Sequence, residues 1–235
     1  MNALLFSDFS KIVGMFRPER VAIVGSGPSA LENDPGFIDS FSVVVRVNNY
    51  KTKGVKGGIQ YDYSASLGKR TDVFYSFFGS SIGKTSEELK ADGVTLCMSK
   101  LPNSRPIESE WHVRRGKLEG IDYRPHYRRR EDWWFCPTFV PLDSHFLEIF
   151  ELLKKHQATT GFSAIHDFVK VRPKQLYITG FDFFESKIHN VDEQHRIKNF
   201  DDPIGHYPQL EKEFVLKWAR ENDWIHLDKH LRRLL

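Results

Sequence analysis

Of the ten histidines in the chain, His206 stands in the most suggestive surroundings. It precedes a predicted helix, Leu210 to Asn222, and Glu211 follows it five residues on. Imidazole titrates at about 6.5, so it changes charge near neutral pH. A hydroxyl is a poor nucleophile in that range, and a positioned general base compensates. Across a loop–helix junction, Glu211 would be placed to orient the ring. The plainer reading is a surface histidine at a helix start.

A second group offers anion binding. Gly25-Ser26-Gly27-Pro28-Ser29-Ala30 follows an apolar run and opens a helix. Glycines there admit close backbone approach, and helix N-terminal amides attract phosphate. The spacing also fits the dinucleotide fingerprint of NAD and FAD enzymes. That fingerprint expects an acidic residue at the end of the second strand. The chain has Arg46 there, which argues against that fingerprint but could serve the 2′-phosphate of NADP, and an NAD(P)- or FAD-linked oxidoreductase built on this loop is the alternative. A tight turn with no ligand is the remaining reading. Thr159-Thr160-Gly161 opens another predicted helix, either as a plain N-cap or as an anion site. Asn48 closes the second strand, where α/β proteins bind ligands, and its amide can donate and accept. A turn asparagine is the alternative. Asp201 and Asp202 lack the Asp-x-Asp spacing of a cation-binding pair, so no metal is expected for substrate binding.

These residues need a scaffold of parallel strands. Residues 20–25, 42–47, 72–77, 93–98 and 175–180, with a short 224–227, read as buried strands. Helical stretches alternate with them: 1–17, 144–156, 159–171 and 210–222. This alternation predicts a doubly wound, Rossmann-like α/β fold with a mostly parallel sheet, as one domain over residues 1–235. The proline-rich, irregular stretch 99–145 reads as a lid or acceptor-binding insertion.

Composition narrows the class further. Apolar residues make up 40% of the 235, enough for a sizeable core, and no apolar run approaches a membrane span. A net charge of +3 suits an anionic substrate and does not mark a nucleic-acid binder. Two segments, 124–130 and 229–235, concentrate basic charge. They read as solvated faces, with contact to acidic glycans or to an anionic membrane surface as the alternative. Cys97 and Cys136 lie in unrelated contexts, so neither a disulfide scaffold nor a zinc site is expected. A cytoplasmic setting, peripheral to the inner membrane if the basic segments bind it, follows as the expectation.

Four blocks in order resemble the sialylmotifs of sialyltransferases. Residues 21–48 resemble the large motif, with the glycine loop, Ile38-Asp39-Ser40 and Val43-Val44-Val45-Arg46-Val47-Asn48. Residues 68–75 resemble the strand that follows it, which brings Ser76 to the strand end. Residues 158–184 resemble the small motif, with Thr159-Thr160-Gly161 and Gly180-Phe181-Asp182. His206 to Glu211 resembles the very short motif. The resemblance implies a GT-A-like sialyltransferase fold. It also implies inverting transfer of an acidic sugar, sialic acid or its relative Kdo, from a CMP-sugar to a hydroxyl of a glycan or glycolipid acceptor. No cofactor beyond that sugar nucleotide is implied, and no metal. His206 would be the base, and His189 would assist the leaving phosphate, with His195 and Arg196 as competitors. Gly25, Ser26, Gly27, Asn48, Ser76, Thr159, Thr160, Gly161, Gly180, Phe181 and Asp182 would hold the sugar nucleotide. Ser26 departs from the usual asparagine, and Phe184 from the tyrosine of the compact bacterial family. Pro173 stands near where the animal family has a disulfide cysteine. A glycan-binding relative without activity is a further alternative.

CMP at millimolar concentration should therefore raise the melting temperature, and NADPH should not, because a ligand of the native state alone stabilises it. A shift with NADPH and none with CMP, in thermal scans of the two, would reverse this reading.

Overall fold

The structure, a computed structural model, describes residues 5–56, 58–79, 81–102, 104–105, 121–122, 130, 133, 135–185 and 206–235. In chain order the strands are β1 (Leu5–Phe6), β2 (Arg20–Val24), β3 (Val43–Val47), β4 (Lys53–Lys56), β5 (Ile59–Asp62), β6 (Val73–Ser76), β7 (Leu96–Ser99), β8 (Ser104–Arg105), β9 (Ile121–Asp122), β10 (Thr138–Phe139), β11 (Gln175–Thr179) and β12 (Ile225–Leu227). The helices are α1 (Phe9–Phe16), α2 (Ser64–Leu67), α3 (Ser86–Ala91), α4 (Asp143–Leu152), α5 (Thr160–Val171), α6 (Pro208–Glu221) and α7 (Lys229–Arg232).

Eight strands pair in parallel in the order β1-β10-β7-β6-β3-β2-β11-β12. The expected α/β fold with a parallel sheet is thus observed. From β2 the chain steps to β3 on one side, and β11 takes the other side. The crevice beyond the carboxyl ends of β2 and β11 is the switch point where such sheets bind ligands. The pairs β4–β5 and β8–β9 are separate antiparallel ribbons.

Strand β3 shows how residue pattern sets the layers. Val43, Val45 and Val47 point into the core shared with α1, α5 and α6, whereas Val44 points into the opposite cluster with Ala22, Val24 and Tyr177. Arg46 alternates with them and is 1% exposed. Its guanidinium donates to Thr71 Oγ1 at 3.1 Å and to the carbonyls of Leu67, Gly68 and Arg70, and lies 5.5 Å from the Tyr50 ring centre. Burial lowers its pKa to about 10. This arginine is committed to backbone carbonyls, so it cannot serve a nucleotide 2′-phosphate, and the NADP alternative loses its one supporting residue.

Three expectations need correction. The start of the chain is not one helix: Leu5–Phe6 pairs with Thr138–Phe139, and Asp8, accepting from the Ser10 N–H, caps α1 after it. The stretch 99–145 is not wholly an insertion, because Thr138–Phe139 lies inside the main sheet and Trp133 is fully buried. Cys97 and Cys136 are not unrelated. Register pairs Cys97 with Thr138 and brings the two buried Sγ atoms to 3.6 Å, as free thiols.

The basic tail is anchored to the core by one residue, while Lys229, Arg232 and Arg233 are exposed. Asp228 caps α7 through the Leu231 N–H, and Leu231 is fully buried in the core. No helix among the described residues is long and apolar enough to cross a membrane.

The loops after β2 and β11 fit only without side chains. A Cβ on Gly25 would stand 2.3 Å from the Gly180 carbonyl oxygen, and one on Gly27 2.8 Å from it. Gly25→Ala should cost about 2–3 kcal/mol, since backbone on both sides cannot yield as a side chain would. Urea denaturation of the two proteins measures it.

Candidate active site

The site is organised by three consecutive residues that precede α5. The Gln157 carbonyl lies 2.6 Å from His206 Nδ1. The Ala158 carbonyl accepts from Lys100 Nζ at 2.6 Å. Thr159 donates through its N–H to Glu211 Oε1 at 2.6 Å and through its hydroxyl to Oε2 at 2.7 Å. Thus the end of β7, the turn before α6 and the first turn of α6 all converge on residues 157–159.

Each contact has a chemical consequence. A carbonyl only accepts, so Gln157 holds the neutral His206 with its proton on Nδ1 and makes Nε2 the basic nitrogen. Glu211 is 1% exposed. Burial raises its pKa to about 7, against the two Thr159 bonds and the Lys100 charge, which pull it down. Lys100 is itself buried, at 7% exposed. The expected pairing of Glu211 with His206 does not form. The ring is oriented by Gln157, and Glu211 instead clamps α6 to α5. Lys100 was missed in the sequence because nothing local distinguishes a lysine at a strand end. Only the β6–β7 register, with its N–H on the Ser76 carbonyl at 3.0 Å, brings it there.

The N-terminus of α5 is partly used. Thr159 caps it by accepting from the Phe162 N–H at 3.0 Å, and the Glu211 carboxyl takes the Thr159 amide. Thr160 and Gly161 supply the next two amides of the first turn. Gly161 lies under Phe181, whose ring atom would be 2.5 Å from a Cβ there, and the same ring stands 3.0 Å from the Cβ position of Gly25. Phe181 therefore bridges the two glycine turns.

In the glycine loop the two glycine amides are already spent. Gly25 N–H donates to Thr179 O at 2.8 Å and Gly27 N–H to Gly180 O at 2.7 Å. These glycines serve loop-on-loop packing. Ser26, between them, is half-buried. A residue not foreseen holds this corner: Asp228 Oδ2 accepts from Ser29 Oγ at 2.8 Å, Thr179 Oγ1 at 3.0 Å and Gly180 N–H at 3.0 Å. Asp182 accepts from the Phe184 N–H at 3.0 Å and shapes a turn in which Phe183 and Phe184 both have positive φ.

Asn48, at the carboxyl end of β3, has φ 48°, and its backbone N–H donates to Tyr75 O at 3.0 Å. Its Oδ1 is buried with no hydrogen-bond partner among the described residues. A buried unmatched acceptor is costly, and a bound donor group would relieve it. Its neighbour Asn49 is occupied structurally, by Ser81 and Gly83. Ser76 is fully buried, and its hydroxyl accepts from the Phe78 N–H at 3.1 Å, so it shapes the turn after β6. His189, His195, Arg196, Asp201 and Asp202 lie outside the described residues. One group of potential metal ligands, His145, His166 and Asp167, occurs among the described residues and is separate from this strip. A cavity of about 440 Å³ lined by Arg20, Lys174, Gln175, Asp223, Trp224 and His226 lies at the opposite, amino edge of the sheet.

No protein-family description matches the sequence, and no curated protein does. Solved structures do. The chain is similar to the sialyltransferase CstII of Campylobacter jejuni in complex with the substrate analogue CMP-3FNeuAc, with a TM-score of 0.52 and 18% identity over 91% of this chain and 88% of that one. It is also similar to a mammalian sialyltransferase in complex with Gal-beta-1-3GalNAc-ortho-nitrophenol, with a TM-score of 0.54 and 16% identity over 94% of this chain and 78% of that one. The fold is that of the sialyltransferases.

Because Glu211 holds its proton more tightly folded than unfolded, its contribution to stability is full below about 4.5 and is lost as pH rises through about 7. Unfolding free energy should fall over this window by up to about 3 kcal/mol. Glu211→Gln, which keeps the shape but cannot ionise, should flatten the profile. A denaturation series at pH 4.5 to 8 on both proteins measures this.

Proposed function

We propose that the chain is a sialyltransferase-type glycosyltransferase. It moves an acidic sugar, sialic acid or Kdo, from a CMP-sugar to a hydroxyl of a glycan or glycolipid acceptor, with inversion. The carrying observation is His206, whose tautomer is set by the Gln157 carbonyl at 2.6 Å so that Nε2 can accept a proton. The neighbours support the substrate class: the CstII structure contains CMP-3FNeuAc, and the mammalian one a galactose-terminated disaccharide.

The acceptor hydroxyl passes its proton to His206 Nε2 as its oxygen bonds to the anomeric carbon. The bond from that carbon to the phosphate oxygen breaks on the opposite face, and CMP leaves with the electron pair. Asn48 Oδ1, buried and unmatched, takes a donor group of the cytidine. The amides of Thr160 and Gly161 face the sugar carboxylate, with the helix dipole in support. Ser26 lies beside the nucleotide between the two packed glycines. His189 neutralises the leaving phosphate. No metal takes part in transfer.

His206→Ala should lower turnover by about 10²–10⁴-fold with little change in CMP affinity, the size of a general-base contribution. The free-enzyme pH–rate profile should rise through a pKa in the histidine range, and this acidic limb should vanish in His206→Ala. Near-normal transfer by the folded variant, in a donor screen of CMP-sialic acid and CMP-Kdo, would pass the role to another histidine.

A further inference from the structure

The cluster between α4, α5 and β6 uses none of the residues assigned above except through its scaffold. His145 Nε2 lies 2.7 Å from Asp167 Oδ1, and His166 Nδ1 lies 3.5 Å from the same oxygen. The three ligand atoms are all within 4.8 Å of one another. Asp167 is fully buried, and His166 is 5% exposed. Tyr75 donates its hydroxyl to Asp167 Oδ2 at 2.7 Å.

One feature separates this group from a simple ion pair. His145 and Asp167 satisfy each other, but His166 Nδ1 is buried with no hydrogen-bond partner among the described residues. It is aimed at the oxygen that His145 also reaches. A group that accepts lone pairs from both imidazoles and the carboxylate would match all three atoms at once, and that group is a cation. Two imidazole nitrogens and one carboxylate are a ligand set of zinc sites, which take three protein ligands and one water. Bonds of about 2.0–2.1 Å in a tetrahedron space the ligand atoms by about 3.3 Å, and the observed 2.7 and 3.5 Å bracket this. The outer shell is also present. Tyr75 fixes the second carboxylate oxygen, and the Glu148 carboxylate stands 3.8 Å from His166 Nε2, near it but beyond hydrogen-bond reach. Asp167 supplies one negative charge at the ligand atoms, and Glu148, paired with Lys170 Nζ at 2.6 Å, lies at the rim. The His145 side chain is 12% exposed and gives the site an opening to solvent. Aromatic rings close the rest: Phe9 is 5.1 Å from His145, and Trp218 is 5.9 Å from His166.

We propose that His145, His166 and Asp167 bind one zinc-class divalent cation, which ties α4 to α5 and completes its coordination with water. On binding, His145 Nε2 gives up its proton to solvent and presents its lone pair, while Nδ1 keeps the ring neutral. The cation is structural and takes no part in sugar transfer.

The test uses the full chain, stripped with EDTA and dialysed, then titrated with Co²⁺ as the probe. One equivalent should bind, with a visible d–d absorption that Zn²⁺ abolishes by displacement. Zn²⁺ should raise the melting temperature, and EDTA should return it. His145→Asn and His166→Gln should each weaken Co²⁺ binding at least about tenfold, while His226→Gln, outside the cluster, should not. Circular dichroism checks that each variant is folded. Failure of the folded wild-type protein to bind a stoichiometric cobalt ion overturns the proposal. Unchanged affinity in either His145→Asn or His166→Gln also overturns it.

Discussion

The carboxyl group of Glu211, buried at the start of α6, holds the start of α5 through the Thr159 amide and hydroxyl. Removing a carboxyl from water is unfavourable unless hydrogen bonds replace hydration. Two short bonds do so here, and the group still holds a proton near neutral pH. The rest of the site depends on this contact. With α6 docked, the turn before it brings His206 to the Gln157 carbonyl. With residues 157–159 held, Ala158 can receive Lys100 from the end of β7. One carboxyl thus links a histidine, a buried lysine and a helix N-terminus that come from three separate parts of the chain.

The switch point of the sheet obeys a different constraint, which is space. Gly25, Gly27 and Gly180 lie so close that a side chain on any of them would meet backbone or the Ala30 methyl within 2.8 Å. The loops interlock through the Gly25 and Gly27 amides, and Asp228 ties Ser29, Thr179 and Gly180 into one buried network. A ligand in this crevice therefore meets a rigid corner. The groups left to recognise it are the half-buried Ser26, the Asn48 carbonyl, and the first-turn amides of α5. The arrangement differs from a phosphate loop in that the Gly25 and Gly27 amides face the neighbouring loop.

Much of the architecture could be read from the residues. The runs Val21 to Val24, Val43 to Val47 and Leu176 to Ile178 are apolar on both faces, which only a parallel sheet covered on two sides accepts. Thr159 as a cap and Pro208 at a helix start are local signals, set by backbone hydrogen-bonding needs within a few residues. Short strands were harder. Leu5–Phe6 and Thr138–Phe139 have two residues each, too few for any period, and exist because they pair with each other and with β7.

The sequence by itself determined the order of the strands β2, β3, β6, β7, β11 and β12 and of the helices α4, α5 and α6, the glycine turns, the cap of α5 and the presence of a histidine before α6. These follow from backbone sterics and from apolar periodicity, both short-ranged. Tertiary structure alone decided the partners. Arg46 turned inward to carbonyls, Glu211 went to Thr159 and not to His206, and Lys100, Asp228 and the His145–His166–Asp167 group emerged without local signature. A buried polar side chain must find whatever complementary group the packing brings near, and that group is commonly distant in the chain.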